Sequence, residues 1–583
     1  REYKWERKQV AELIEDLTGK FLENYGVSDE RVDVAGYNYY FMGAIVISRK
    51  DGSNFIIDGQ QRLTTLTLLL IYLHKQQGSR ADRVKLDDLI FSETYGRKSF
   101  NIDVEERVPA MDALYHGREF DYTGQSESVQ NIIERYKDVE DLFPEDIDER
   151  ALPYFADWLK EKVYLVEITA YSDEEAYTIF ETMNDRGLSL GQLDMLKGYI
   201  LVNIADEQKR LRASNTWKNQ VAELRVLGKD EGADAFKAWL RSQYAMTIRE
   251  RRKGAKPLDF DRLGTEFHRW VRDNRDLVGL DSSEDFIRFV EQDMSFYTRQ
   301  YLRLRLASQS YQPELEAVYY NGHQGFTLQF PLLLSPIRPT DDGDTVLRKL
   351  RVTARYIDIL LTRRLWNFRS IAYSTMQYAM FTVMREIRGK ELAELVDILS
   401  RRLENDKEDF RENDRLRLHQ QNRRAIRYIL ARITDHIERR SGLPARFTEY
   451  VAEGRNRYEI EHIWANNYER HREEFDHEAD FIEYRNRIGG LLLLPKSFNA
   501  SYGDLPYEDK LDHYYGQNLL AKSLHAKCYN HNPGFLNYSA RNGLEFRPHS
   551  QFKREDLDAR QRLYQSLAEE IWHPSLLHRE AQG

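Results

Sequence analysis

Residues 54–73 read NFIIDGQQRLTTLTLLLIYL, and this stretch constrains the fold most. Phe55, Ile56 and Ile57 form a short apolar run that predicts a buried strand. Asp58 and Gly59 break it. From Gln61 onward Leu63, Leu66, Leu69, Leu70 and Leu73 recur at helical spacing, with further apolar residues between them. A helix apolar on nearly every side belongs inside a domain. The order is strand, tight turn, buried helix. Such a turn gathers backbone N–H groups and the positive end of a helix at one spot. That spot suits a phosphate, and Arg62 in the first helical turn could add a bidentate grip. The same residues also fit a plainer role, in which Asp58 caps the helix and Arg62 is solvated.

At 583 residues the chain has room for two to four domains, and 41% hydrophobic content is enough for real cores. No apolar run approaches the length of a membrane span, and no leader-like stretch opens the chain at Arg1, which reads as a trimmed start. The sole cysteine, Cys528, excludes an intramolecular disulfide framework and a cysteine-based zinc cluster. A cytoplasmic protein with no membrane partner is expected. The net charge of −10 argues against a generic DNA-coating protein but not against local basic surfaces. Residues 249–256 (RERRKGAK) make one such surface. Residues 415–440 make another, with eight arginines against two acidic residues. Either run also fits a solvated helix face.

Tyr3, Trp5, Val10, Leu13, Ile14 and Leu17 predict a loop and then an amphipathic helix. Residues 39–48 predict a strand that forms a hairpin with 55–57 through 49–53. Residues 80–160 read as helix and loop, punctuated by Pro109, Pro144 and Pro153, and 164–168 as a strand. Ala176, Ile179, Phe180 and Met183 give a helical stripe that stops at 184–187. Leu190, Leu193, Leu196 and Ile200 start a second helix. Residues 205–410 read as predominantly helical. Within them 298–305 (TRQYLRLR) and 362–369 (TRRLWNFR) mix arginine with aromatics. That mixture suits phosphate pairing and base stacking, or arginine stems lying along packed helices. The polar stretch 404–414 reads as a linker.

Residues 458–464 (YEIEHIW) predict a strand carrying Glu461 and His462, and 487–495 (RIGGLLLLP) predict a second. Asn499 and Lys510 follow. Phosphodiester cleavage needs a base to activate water and a divalent cation to hold the scissile phosphate. His462 could be the base, and Glu461 and Asn499 offer hard oxygen ligands suited to Mg²⁺.

DGQQRLTTL resembles the signature of the N-terminal domain of GmrSD-type modification-dependent restriction enzymes, a domain related to the ParB/sulfiredoxin-like nucleotide-binding fold. Arg1, Tyr3 and Trp5 match the family's opening element. Phe180, Asn184, Arg186, Gly187, Asp194 and Lys197 match its second block. The resemblance implies binding and hydrolysis of a nucleoside triphosphate, with GTP favoured, at a composite site. Asp58, Gln61 and Arg62 would act there, flanked by Arg1, Tyr3, Gly59 and Gln60. Arg62 and Arg186 would contact phosphate, and Asn184 would orient the ligand. Asp194 and Lys197, three residues apart, share a helix face, and Asp194 would hold a metal or orient Lys197. A capped turn and a surface ion pair would explain the same block without a ligand.

The C-terminal set resembles the HNH nuclease domain of the same family in Glu461-His462-Ile463, Asn499 and Lys510. One element departs. Gly489-Gly490-Leu491 has glycine at 490 where the family places an asparagine that fixes the histidine's loop. Nearby Asn486 is a candidate substitute.

The expected fold is α+β and predominantly helical: a ParB-like NTPase domain (1–205), a helical middle region (206–410), and a helical C-terminal domain with a ββα-metal (HNH) element (411–583). The resemblance implies an NTP- and Mg²⁺-dependent endonuclease that cuts modified double-stranded DNA in antiviral defence. Relatives sense sugar-modified cytosine or, in SspE-like members, phosphorothioate DNA. The alternative is a nucleotide-binding DNA sensor whose degenerate HNH domain does not cut, and a homodimer is left open.

Overall fold

The order expected at residues 54–73 is the order found in this computed structural model, which describes residues 2–50, 53–78, 80–94, 96–170, 191–250 and 255–582. The chain divides into two units, residues 1–190 and 191–583. The first unit opens with helix α1 (Arg7–Leu22), whose Val10, Leu13, Ile14 and Leu17 are buried as their spacing predicts. Strands β1 (Tyr40–Lys50) and β2 (Ser53–Asp58) pair antiparallel, with Ile47 opposite Ile56 and Lys50 opposite Ser53. Strand β2 is not buried as its apolar run predicts: Phe55 is 52% exposed, and Ile56 and Ile57 are half-buried. Gly59 then turns the chain at φ 91 into α2 (Gln60–Gln77). A Cβ there would also strike Ile45 at 2.5 Å, so the turn needs glycine on both counts.

Leu68, Leu69, Ile71 and Leu73 of α2 are wholly or almost wholly buried. They share a core with Phe21 of α1, Ile132 of α3 (Glu127–Leu142), and Phe155 and Trp158 of α4 (Leu152–Lys162). Leu63 and Leu66 are only partly covered and line an apolar cavity of about 300 Å³. Strand β3 (Val163–Ala170) lies parallel to β1 and completes a sheet of order β2-β1-β3. Parallel neighbours need a long crossover, which the intervening helices supply. A short hairpin pairing Phe91–Thr94 with Arg97–Phe100 was not expected within 80–160. Phe91 and Phe100, with ring centroids 4.5 Å apart, give it an apolar contact across the two strands.

The second unit is predominantly helical and begins with α5 (Gln192–Val202). One buried core runs through it from Leu196 to Leu577. Residues 404–414 are not a linker. Phe410 is fully buried between Trp366 and Trp572, and Asn413 O accepts the Trp366 indole N–H at 3.1 Å. Among the described residues no helix is long and apolar enough to cross a membrane.

Charge is buried at the centre of this unit. Helices α6 (Glu316–His323), α7 (Gly343–Trp366) and α8 (Arg423–Arg440) meet there. Asp358 of α7 is 1% exposed. Arg432 of α8 donates to both of its oxygens, at 2.8 and 3.0 Å. Tyr428 donates to it at 3.0 Å, and Arg355 at 3.2 Å. Arg355 also grips Glu316 at 2.7 Å and Glu580 at 2.9 Å. The Arg432 guanidinium lies 3.5 Å from the centroid of the Tyr320 ring. Burial alone would raise the Glu316 carboxyl, but Arg355 and Arg439 hold it down at about 2.

Removing one partner of a buried ion pair typically costs about 3–5 kcal/mol, because the other charge stays behind. Asp358→Ala strands the Arg432 guanidinium, while Arg355 keeps Glu316 and Glu580, and should lower the urea midpoint of the second unit by a corresponding amount. A midpoint within error of wild type would show that water replaces the carboxylate. The depressed Glu316 carboxyl contributes stability that is fully present above its ordinary value near 4.5, and that stability should drain away as pH falls toward 2. In Glu316→Gln, stability should vary less with pH across that window.

Candidate functional site

Strand β4 (Tyr458–His462) pairs antiparallel with β5 (Leu491–Pro495), placing Glu461 opposite Leu492 and His462 opposite Leu491. Helix α9 (Lys496–Tyr502) follows β5 directly and carries Asn499. Both strands were legible as apolar runs, although the second starts at Leu491 after a single turn over Ile488–Gly490.

Neighbouring residues on a strand point to opposite faces, and Glu461 and His462 separate in this way. Glu461 is 3% exposed. Its Oε1 accepts from Lys510 Nζ at 2.8 Å and Tyr514 OH at 3.2 Å, both residues lying on α10 (Tyr507–Tyr515). Lys510 Nζ is fully buried and also donates to the His462 carbonyl at 3.1 Å. Burial pushes the Glu461 carboxyl up and the Lys510 ammonium down, and each opposes the shift of the other. The pair holds the end of β4 in place.

His462 faces a different set of groups. Its Nε2 lies 2.9 Å from Asn486 Oδ1, while Asn486 Nδ2 donates to the Ile482 carbonyl at 2.9 Å. That second bond fixes which way the amide points. The ring must therefore donate from Nε2, leaving the lone pair on Nδ1. Burial pushes the imidazole down to about 3, with the Arg485 guanidinium adding to the effect. A neutral ring with a bare Nδ1 can take a proton.

Asn486, the candidate substitute, thus lies in contact with the His462 ring. Gly490 is buried and does not have positive φ. Packing, not backbone angle, restricts it: a Cβ would lie 3.0 Å from Leu557 Cδ1. Its neighbour Gly489 is tighter still. A Cβ there would lie 2.5 Å from Gln561 N and 2.7 Å from Leu557 O, both backbone atoms of α11 (Arg554–Ile571).

Asn499 Nδ2 donates to the Ile460 carbonyl at 3.2 Å, which leaves Oδ1 as a buried oxygen with no hydrogen-bond partner. An orphan acceptor of this kind suits a hard cation. Glu461, the other expected ligand, is a poorer fit as it stands, because Lys510 already occupies its Oε1. Among the described residues no three His, Cys, Asp or Glu side chains converge as a metal cluster.

The arginine run at 415–440 is not a uniform face. Arg432 is in the buried cluster, and Arg439 and Arg440 lie near Glu316 and Glu570. Arg423, Arg424, Arg427 and Arg457 line a cavity of about 690 Å³ together with Gln420 and Glu453. Arg427 is held by Glu453 and the Ala452 carbonyl. Arg423 has no ion-pair or hydrogen-bond partner among the described residues, and its charge reaches His462. Arg305 of the stretch 298–305 is paired with Glu231 and is not free for phosphate. Residues 251–254 of the other basic run lie outside the described residues.

In the first unit the residues of the turn hold one another. Gln60 donates to the Ile56 carbonyl. Gln61 donates to Glu2 O at 2.6 Å and accepts from Lys4 N at 2.7 Å and Trp5 N at 3.2 Å, clamping the opening segment. Arg62 donates to Ala44 O at 3.1 Å and lies against Gly43, where a Cβ would come within 2.9 Å of its Nη1. Asp58 ends β2 half-buried. Tyr3 is fully buried, with its hydroxyl 2.7 Å from Thr65 Oγ1. Asp194 and Lys197 lie on α5 in the second unit, half-buried. Arg1, Asn184 and Arg186, with the rest of 171–190, lie outside the described residues.

Two segments match family models. Residues 1–201 match the GmrSD restriction endonuclease N-terminal domain, and residues 398–565 match the GmrSD restriction endonuclease C-terminal domain. No curated protein matches the chain.

The state of His462 can be measured directly. In ¹⁵N-histidine spectra its ring should remain the neutral Nε2–H form from pH 7 to below 5. Asn486→Ala should let the other tautomer appear. A ring that titrates near 6.5 would refute the neutral assignment. Linkage has a fixed sign here. The unfolded chain takes up this proton near 6.5 and the folded chain near 3, so His462 lowers stability as pH falls through that window. Gly490→Asn should be neutral or harmful to stability, read as Tm, because Leu557 must give way.

Proposed function

Because the chain belongs to the GmrSD restriction endonuclease family, we propose that it is a nucleotide-controlled DNA endonuclease of bacterial anti-phage defence whose cutting site is built around His462. The observation that carries this reading is the His462–Asn486 contact, which leaves Nδ1 as a proton acceptor on a β-hairpin followed by a helix. A ββα order with histidine on the first strand and asparagine on the helix fits an HNH-type site.

In the proposed reaction a water oxygen attacks phosphorus, its proton passes to His462 Nδ1, and the bond from phosphorus to the leaving sugar oxygen breaks. That oxygen takes its proton from solvent. The negative phosphate would raise the imidazole, offsetting the depression by Arg485. Lys510 keeps the strand end fixed through the His462 carbonyl. A divalent ion such as Mg²⁺, when bound, supplies charge neutralisation on the scissile phosphate. On this chain Asn499 Oδ1 would hold it, and Glu461 would join only where Lys510 released it.

The first unit would bind the nucleoside triphosphate, GTP being favoured, at the Asp58–Arg62 turn. Support comes from the glycine turn and the helix N-terminus behind it. Modified double-stranded DNA is the proposed substrate. The Lys510 grip on Glu461 favours the second reading, a DNA sensor that binds without cutting.

His462→Ala should reduce cleavage of susceptible DNA by about 10²–10⁴-fold while DNA affinity and NTP turnover stay within twofold or so of wild type. Wild-type protein that binds DNA yet never cuts, with any nucleotide, metal or modified DNA supplied, would establish the sensor reading instead. Arg62→Ala should weaken nucleotide binding by roughly tenfold, the usual loss for one charge-assisted contact. Calorimetry showing unchanged affinity would remove Arg62 from the site.

A further inference from the structure

Helix α7 ends at Trp366, with Asn367 as its C-cap, and the next residue, Phe368, has φ 56. This is left-handed backbone at the position where helices commonly end on glycine, because a Cβ is strained there. Among the described residues it is the one non-glycine with positive φ. Core packing does not explain the choice, since Phe368 is 46% exposed. Glycine would satisfy the turn better, and strain of this kind persists where function uses it.

Among the described residues the ring has one aromatic neighbour. His419 stacks against it with centroids 5.6 Å apart and planes 25° apart. Main-chain bonds tie the segment carrying His419 to the candidate nuclease site. Leu418 N donates to Asn486 O at 2.7 Å, and Ile488 N donates to Leu416 O at 2.9 Å. Asn486 is the residue whose side chain holds His462. On its other side, His419 N donates to Asn422 Oδ1 at 2.8 Å, immediately before α8. That helix begins with exposed Arg423 and Arg424, the latter also donating to the His323 carbonyl, and has no acidic residue in its first turn. Cations at a helix N-terminus oppose its dipole, an arrangement that an incoming anion offsets.

We propose that Phe368, backed by His419, is a stacking platform for a nucleobase swung out of DNA, with the flanking phosphate taken by Arg423 and Arg424 as the strand continues to His462. The proposal rests on the reading of this unit as DNA-acting. The left-handed turn is what projects the ring into solvent. A centroid spacing of 5.6 Å leaves no slot between the two rings, so the base adds to the open face of Phe368. Every base has a π-face, so the platform tolerates sequence and favours DNA whose bases unstack readily.

The test uses the full chain and oligonucleotides carrying 2-aminopurine, single-stranded or opposite a mismatch, with EDTA present so that nothing is cut. Wild type should bind and quench the probe. Phe368→Gly should keep or raise Tm while weakening binding about tenfold and removing the quench, with the salt dependence unchanged. Phe368→Tyr should restore both. Arg423→Ala should instead reduce the slope of log affinity against log salt by about one. Phe368→Gly that binds and quenches like wild type overturns the platform alone. Wild type that binds no DNA probe overturns the platform together with the DNA-acting reading.

Discussion

Asp358 is a carboxylate cut off from water, and the second unit is arranged around giving it partners. A buried charge costs several kcal/mol unless it is paired and hydrogen-bonded. Arg432 supplies the bidentate grip, Arg355 a second charge and Tyr428 a hydroxyl. These bonds fix the rotation of α8 as well as its position. Arg423 precedes Arg432 by nine residues, about two and a half helical turns, which puts the two on opposite sides of the helix and roughly 13 Å apart along it. Holding Arg432 inward therefore holds Arg423 outward, at the edge of the cavity beside His462.

What could be read from the sequence was mainly local. The β1–β2 hairpin, the glycine turn into α2 and the strand bearing Glu461 and His462 each rest on residues adjacent in the chain. Contacts across long separations were not legible in this way. Lys510 pairs with Glu461 from 49 residues away, and Asn486 reaches His462 from 24. Periodicity contains no term for either. Composition fails in the same way at 415–440, where eight arginines look alike as letters but divide into buried, paired and exposed sets. Residues 404–414 misled because ten polar or charged letters outweigh Phe410, the one that is buried.

The turn at Asp58–Arg62 shows how one residue can satisfy two explanations. Gln61 clamps the opening segment with three hydrogen bonds, and Tyr3 buries its ring behind that clamp. This is structural work, yet it also fixes the backbone beside the helix N-terminus. A loss of nucleotide binding in a Gln61 variant would report on both jobs together, whereas Arg62, which rests on a single carbonyl, separates them.

Gly489 lets two main chains touch with no side-chain layer between them. The approach to β5 therefore rides directly on α11, and the backbone of Gln561 and Leu557 leaves no space for even a methyl group. Substitution elsewhere in the core can be absorbed by a neighbour changing rotamer, but a peptide group has no rotamer to change. For descendants of this chain, position 489 is thus a ratchet. Lineages that retain the helix in place must retain the glycine, and an alanine there would mark one in which α11 had moved first.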